Sequence, residues 1–565
     1  MVFSGKVSYI VRKHPIVRFL CCLVIIGIIF VSVLIFDKKN KAVPHIESIV
    51  PSVGIPGDVV LINGENFGNT RDISFVEFSG NKLTASSYIS WSDNCIKLVL
   101  PANVKDGLVV VGVNGEVSNA ALFANEIDIP VPVENSVQLT KPVVNSVSVE
   151  KGKVGELIKI FGSNFGESRN NSKVLFTIDY DKKIEENDLK SFASLTENMI
   201  SCDETGYEFW SNNEIEVRIP DGACSGAIVV EVRDEKSDPI KFTVDTSVGK
   251  KNFSNKKIYL LQYTADVADV VTTDVSTITF RCPIPCTTAS QPTVEITETV
   301  PEPILLNYQN NLIHQITKNR NNTPKTVFKQ TFVLPVYKVE SNVNVAKVTS
   351  LKKGSEELFE QYLVPDDIIP SDDEKVIALG KEIVKKEKNI YRQAKLVYEY
   401  MCEKFMILKT VRKAESNPLD MFVDNFGDAY DFSVMYCAIM RSLGIPCVTN
   451  SGILIGKNME TRSHWWNEIY INGLGWIPVD VSLGAGLEYE KWLDDSEDKM
   501  FYFGNMDNHH ICFSRGWTKL KPFSKDNRIV QHPRSFALQS IWEESSEDTS
   551  KYSSYWSVPV VKGVY

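Results

Sequence analysis

The run Gly427-Asp428-Ala429-Tyr430-Asp431-Phe432-Ser433 leads into Met440-Arg441-Ser442-Leu443-Gly444-Ile445-Pro446. His464-Trp465-Trp466-Asn467-Glu468 follows, and then Gly475-Trp476-Ile477-Pro478-Val479-Asp480. Ala429 to Leu443 reads as a helix, stopped by Gly444-Ile445-Pro446. Trp465–Ile471 and Trp476–Asp480 read as strands, separated by the turn Asn472-Gly473-Leu474-Gly475. One helix and two strands in this order set the frame for the chain around them.

Upstream, Ser371-Asp372-Asp373-Glu374 offers an N-cap and first-turn carboxylates, which mark the start of the helical region. Ile390, Ala394, Val397 and Met401 recur at helical spacing with charges on the other face, so they are core. Before them, 256–370 reads as strands and turns, with alternation at Ser276–Phe280 and an extended Val327–Tyr337. Downstream, 521–565 is aromatic and Ser-rich. Its acidic run Glu543–Asp548 is expected as a solvated loop between edge strands around Trp542 and Trp556.

The quoted motifs resemble the transglutaminase-like superfamily of papain-like folds. Its pattern is G-x-C-x-D…L-R-x-x-G-I-P, then H-x-W-x-E, then G-W-x-x-x-D. Met440 replaces the Leu before Arg441, a conservative apolar change. The resemblance covers 371–520 and, more loosely, the β-rich stretch 256–370. It implies a Cys-His-Asp triad: a thiol at a helix N-terminus, His464 as the base and Asp480 as the acid that orients it. Trp465 and Trp476 are the groove residues it implies. The nucleophile departs from the pattern, because twelve residues before Arg441 the chain has Ala429.

A methyl group forms no acyl-enzyme, and the neighbours do not replace it. Cys437 lies eight residues on, roughly 12 Å along the helix, and Ser433 one turn on, roughly 6 Å. Cys447 reads as core. Tyr502-Phe503-Gly504-Asn505-Met506-Asp507-Asn508-His509-His510-Ile511 resembles the segment that closes many bacterial members. Adjacent histidines on a strand point to opposite faces, so at most one of His509 and His510 joins a site; the expectation is a structural pair.

An internal repeat precedes all this. Pro44-x-Ile46-x-Ser48-Ile49, Gly57 and Asn63-Gly64-Glu65-Asn66-Phe67-Gly68 recur as Pro142-x-Val144-x-Ser146-Val147, Gly155 and Phe161-Gly162-Ser163-Asn164-Phe165-Gly166. Gly54 and Gly152 keep the same offset of 98 residues. Short apolar runs with Gly/Asn turns read as β-sandwich strands. Both copies resemble IPT/TIG immunoglobulin-like domains, over 44–126 and 142–245. That implies spacer or ligand-binding modules, with the insertion at Asp179–Cys202 as the place for an adhesive face.

At the N-terminus, Phe19–Phe36 is 18 residues without a charge, bounded by Lys6, Arg12, Lys13 and Arg18 before it and Asp37-Lys38-Lys39 after it. The expectation is a cytoplasmic tail (1–18), a transmembrane anchor (19–36) and an extracytoplasmic remainder after residue 37. A net charge of −10 argues against nucleic acid as the main partner. Eleven Cys in 565 residues is no dense disulfide scaffold; Cys202–Cys224 is a candidate pair, and Cys282 and Cys286 are either a small disulfide loop or two free thiols. No nucleotide loop, calcium motif or metal cluster is found, so no cofactor and no metal is expected.

The expected fold is therefore multidomain: an N-terminal transmembrane helix, two all-β sandwiches, then an α+β papain-like domain with a β-rich N-terminal extension and C-terminal strands at 521–565. The leading functional expectation is a membrane-anchored pseudoenzyme that binds a peptide, glycan, protein or cell-wall partner at the cell surface. The alternative is a cysteine hydrolase, protease or amide-exchange enzyme whose Cys is replaced by Ala429. A structural surface cap is the third.

Overall fold

The computed structural model describes residues 43–565, apart from 84–86, 102–103, 126–140, 182–195, 274–275, 319–324, 352–355, 494–495, 497, 518–519, 521–526 and 539–540. The chain divides into two compact units, 1–135 and 136–565.

The first unit holds one sandwich. Strands His45–Val50, Val59–Glu65, Cys95–Val99 and Tyr88–Trp91 lie side by side in one sheet. Val53–Gly54, Ala121–Asn125, Gly107–Val113, Phe75–Phe78 and Asn81–Lys82 form the other. Alternate residues such as Val60, Ile62, Ile96 and Leu98 fill the space between them.

The second unit opens with a sandwich of the same strand order. Val143–Val147, Leu157–Ser163, Glu214–Arg218 and Tyr207–Trp210 form one sheet. Lys151–Gly152, Ile240–Val244, Gly226–Val232, Lys173–Thr177 and Met199–Ile200 form the other. Even the register repeats: His45 pairs with Glu65 and Val143 with Ser163, each with an irregularity three residues into the first strand. A Cβ on Gly64 would lie 1.9 Å from the His45 carbonyl oxygen, and one on Gly162 2.0 Å from that of Val143. Glycine is required there by close backbone approach. In both sandwiches a Trp indole clamps the Asn-Phe-Gly turn: Trp91 donates to the Phe67 carbonyl at 2.9 Å, and Trp210 to that of Phe165 at 3.0 Å.

The 24-residue strand Gly249–Thr272 then pairs antiparallel with Thr326–Val343 along most of its length. A second sheet, Asn311–Lys318, Ser276–Pro283, Trp542–Ser545 and Arg528–Gln531, shares its core. A further sheet, which carries His464 and His510, runs Gly475–Val479, Thr461–Ile471, Cys447–Ile455, His510–Arg515, all antiparallel. Helix Ala429–Ser442 packs on it and is buried at every residue from Ala429 to Arg441, because helices Glu374–Val384 and Ile390–Lys404 cover its other sides. A helix apolar nearly all round is one that belongs inside.

Several expectations need correction. Phe19–Phe36 lies outside the described residues. Among the described residues no helix is long and apolar enough to cross a membrane. Ile390–Lys404, at 15 residues, falls short of the roughly 20 a span needs and carries charges on one face. The transmembrane element of the fold, the single-pass location and the membrane as partner are therefore withdrawn. Cys202–Cys224 and Cys282–Cys286 are not bridged; every described cysteine is a free thiol. The acidic run is not wholly solvated either. Glu543 and Glu544 are buried in a strand between two others, and Glu543 accepts from the Trp556 indole at 2.7 Å and stands 3.2 Å from His532 Nε2. Those partners offset the desolvation that a bare carboxylate would suffer. Most of the insertion in the second sandwich, 182–195, lies outside the described residues.

Candidate active site

Helix Ala429–Ser442 begins with a reciprocal cap. Asp428 Oδ1 accepts from the Asp431 N–H at 3.0 Å, and Asp431 Oδ2 accepts from the Asp428 N–H at 3.0 Å. Both carboxylates are buried. Arg534, from the C-terminal segment, donates Nη1 to Asp428 at 2.8 Å and Nη2 to Asp431 at 2.7 Å, while Arg412 reaches Asp431 at 3.0 Å. Burial still pushes the Asp428 carboxyl up, and Asp431 adds to this against the pull of Arg534. The Arg534 guanidinium also lies 4.3 Å above the Tyr430 ring. Ala429 is the first helical residue, buried at the positive end of the helix.

The helix is tied to the strand Thr461–Ile471 at three points. Ser433 Oγ donates to the Trp466 carbonyl at 3.2 Å, Asn467 Nδ2 donates to the Ser433 carbonyl at 3.0 Å, and Tyr430 meets Trp465 edge-on at 5.5 Å. Trp465 and Asn467 thus touch the helix. His464 and Trp466 meet Asp480 and His510 instead.

There the polar cluster forms. His464 Nε2 stands 2.6 Å from Asp480 Oδ2, and both side chains are fully buried. Asp480 Oδ1 caps the short helix Val481–Gly484, accepting from the Leu483 N–H at 2.9 Å and the Ser482 hydroxyl at 2.7 Å. This cap fixes which oxygen faces the imidazole. His510 Nε2 approaches the same Oδ2 at 3.2 Å, and its Nδ1 lies 2.7 Å from Asp507 Oδ1.

Burial opposes every charge here, and the outcome differs by residue. Burial lowers the His464 pKa; Asp480 pulls it back, while His510 and Arg462 push it further down. Burial alone would raise Asp480, but His464 and His510 hold it well below the usual carboxylate range. His510 also loses to burial, yet Asp507 and Asp480 together hold it up at about 10. The state that follows is a neutral His464 donating Nε2–H to an ionised Asp480 beside a His510 imidazolium. In that tautomer His464 Nδ1 carries a lone pair. It is buried and has no hydrogen-bond partner.

His464, Asp480 and His510 offer donor atoms within 4.8 Å of one another, as a metal site would. Ligands on a tetrahedral zinc with bonds near 2.0 Å sit about 3.3 Å apart. The 2.6 Å separation is that of a charge-assisted hydrogen bond.

The residues singled out by sequence are thus dispersed. His464 and Asp480 are in direct contact. Ala429, the first residue of the helix, brings no polar group to them. Trp476 lies elsewhere: its ring sits 4.6 Å below the Arg515 guanidinium, and its backbone N–H donates to Asp221 of the second sandwich at 3.2 Å. Trp466 was missed, and His510, expected to be structural, joins the cluster. Trp466 lies near-parallel to His464 at 6.2 Å, and the period of two that places residue 466 on the face of residue 464 was the available signal.

A cavity of about 750 Å³ is lined among others by Leu454, Arg462, Leu483 and Tyr502; His464, Asp480 and Ala429 do not line it. Tyr502 is the residue whose carbonyl accepts the Asp480 N–H. Arg462 donates to the Glu488 carbonyl at 2.8 Å and to the Lys409 carbonyl.

Comparison with known proteins gives two family matches. Residues 377–481 match the transglutaminase-like superfamily, and residues 44–124 match the IPT/TIG domain. Cyclomaltodextrin glucanotransferase of Paenibacillus macerans is 38% identical over 78 residues, 14% of this chain and 11% of that protein. The chain thus spans about a tenth of the length of that curated relative. A candidate cysteine protease from Cytophaga hutchinsonii superposes with a TM-score of 0.31 at 15% identity, covering 56% of this chain and 91% of the other. The periplasmic domain of TgpA from Pseudomonas aeruginosa gives 0.23 at 10% identity, covering 40% and 86%.

Proposed function

We propose, from the premise that residues 377–481 form a transglutaminase-like domain, that this part of the chain is built for acyl transfer at an amide or ester carbonyl. Position 429 is the seat of the nucleophile, His464 the base and Asp480 the acid that orients it. One observation carries the reading: His464 Nε2 is held by Asp480 while its buried Nδ1 has no partner. A lone pair kept dry and unpaired is costly unless it serves a proton acceptor's task.

A thiol at 429 would pass its proton to that lone pair and attack the carbonyl carbon. The amine or alcohol would leave with the proton returned from His464, and water or a second amine would release the acyl group. Ala429 withholds the first step, so the chain carries the base and the orienting acid without the attacking group. This is the cysteine-hydrolase or amide-exchange alternative. The anchored, partner-binding surface protein expected first is set aside, since no membrane-crossing helix exists among the described residues.

We further propose that 142–245 is a second IPT/TIG domain. Its strand order, register and Trp-clamped turn repeat those of the first.

The test is acylation of Ala429→Cys by p-nitrophenyl acetate. A burst of nitrophenol, an acetyl adduct on the peptide that contains residue 429, and loss of both on adding His464→Ala are expected. An Ala429→Cys chain that acylates no faster than the unaltered one refutes the reading.

A further inference from the structure

The His510–Asp507 pair is not used by the triad chemistry, yet it ends on the same carboxylate oxygen as His464. The closing segment delivers it. Tyr502 OH donates to Asp507 Oδ2 at 3.1 Å, and the His509 N–H donates to Asp507 Oδ1 at 2.9 Å, which fixes the Asp507 carboxylate. Asp507 Oδ1 in turn faces His510 Nδ1 at 2.7 Å. His510 lies opposite Leu454 in the sheet, and its ring is edge-on to Trp466 at 5.2 Å. With both ring nitrogens facing carboxylates, the imidazole has an acceptor for each of two N–H groups. Only the protonated ring supplies two donors.

We infer that His510 is a positioning residue of the site, a standing imidazolium that clamps Asp480 Oδ2 in line with His464 and sets how strongly that carboxylate can support charge on the base. The inference rests on the reading of His464 and Asp480 as base and orienting acid. Asp480 shares one oxygen between two rings. Its negative charge is partly answered by His510 before His464 takes a proton, so His464 stays neutral and its Nδ1 lone pair stays available.

The other charges around His510 do not replace this arrangement. His509, next to it, turns the other way and stacks on Trp492 at 4.5 Å. On the side where His510 lines a cavity of about 440 Å³, Glu468 is bound to Arg515 at 2.8 Å and Asp221 to Lys251, while Asp203 and Lys173 also border the space. Arg462 acts on His464 and adds to the pressure that keeps it neutral.

The experiment is a histidine-labelled NMR titration of the chain as it stands. His464→Gln and His510→Gln assign the two rings among the seven histidines. Both nitrogens of His510 should stay protonated through pH 8.5, and Asp507→Asn should lower its midpoint. In His510→Gln, the His464 midpoint should rise by about one unit, a tenfold gain in proton affinity. A His510 that titrates near the ordinary 6.5 in the unaltered chain overturns the inference, whether or not the variants fold. So does a His464 midpoint that stays put or falls in a folded His510→Gln. No thiol is needed for these readings. Failure of Ala429→Cys to acylate would therefore count against the acyl-transfer proposal alone.

Discussion

Asp480 Oδ2 accepts from His464 at 2.6 Å while Asp480 Oδ1 caps Leu483 N–H at 2.9 Å, so one buried side chain joins the His464 imidazole to the backbone beyond the strand. Turning the carboxylate away from His464 would also uncap the helix that follows. Orientation of the His464 ring is thereby built into the fold.

Asp480→Asn should be strongly destabilising. The amide keeps the size but loses the charge that faces His510, and it places an N–H₂ where two acceptors are needed. Breaking a buried ion pair costs about 3–5 kcal/mol. Urea unfolding followed by tryptophan emission should show a loss in this range. A change below about 1 kcal/mol would mean that the cluster is wetter and weaker than the structure indicates.

Arg534→Met should be comparably damaging, although residue 534 is far from the helix in sequence. It strands Asp428 and Asp431, two fully buried carboxylates at the start of helix Ala429–Ser442, with Arg412 as their remaining cation. A loss of about 3–5 kcal/mol is expected. Adding Asp428→Asn should restore part of it, because one buried charge is removed. No recovery in the double variant would show that Arg534 acts through packing on Tyr430.

Stability should fall on the alkaline side. His510 is held up at about 10 in the folded chain, against an ordinary value near 6.5 when unfolded. A raised pKa contributes stability that is full below the unfolded value and is lost as pH climbs through the folded one. The stability gap between the unaltered chain and His510→Gln should be widest below pH 6.5 and close as pH approaches 10. Circular dichroism melts across pH 6–10 read this directly. A gap that widens with pH contradicts the assignment.

The fold was legible wherever a local pattern had a local cause. The offset of 98 residues survives in the register of both sandwiches, because glycines at 64 and 162 meet the neighbouring strand too closely for any side chain. The stripe at Ile390, Ala394, Val397 and Met401 is buried as helical spacing requires. Long-range partners were not legible. Nothing local to Glu543 announces Trp556 and His532, and nothing near Trp476 announces Asp221. His510 was read as structural because its partner Asp480 is thirty residues away, on the far side of a turn and a short helix. The anchor shows the limit of composition, since eighteen uncharged residues set an expectation that the described helices do not support.

Seven of the described cysteines should react slowly in the folded chain. Cys282, Cys437, Cys447 and Cys512 are buried, and burial pushes Cys202, Cys224 and Cys402 up to about 12. Iodoacetamide at pH 6 should label none of these described cysteines quickly. Full labelling should appear in denaturant without reductant, since none of the described cysteines is bridged. A described cysteine that labels only after reduction would contradict the free-thiol state.

The central claim is that position 429 lies within reach of the His464 Nδ1 lone pair, and thiol reactivity reads that most directly. Iodoacetamide rates should be measured between pH 5 and 9 for the unaltered chain, Ala429→Cys, and Ala429→Cys with His464→Ala. A thiol at a helix N-terminus beside an imidazole should titrate between about 3.5 and 7.5, against about 8.5 for an ordinary one. The account predicts one new thiol, at residue 429, that already reacts rapidly at pH 6 and slows at least tenfold when His464 is removed. A thiol at that position that reacts only above about pH 8, or at the same rate without His464, would contradict it.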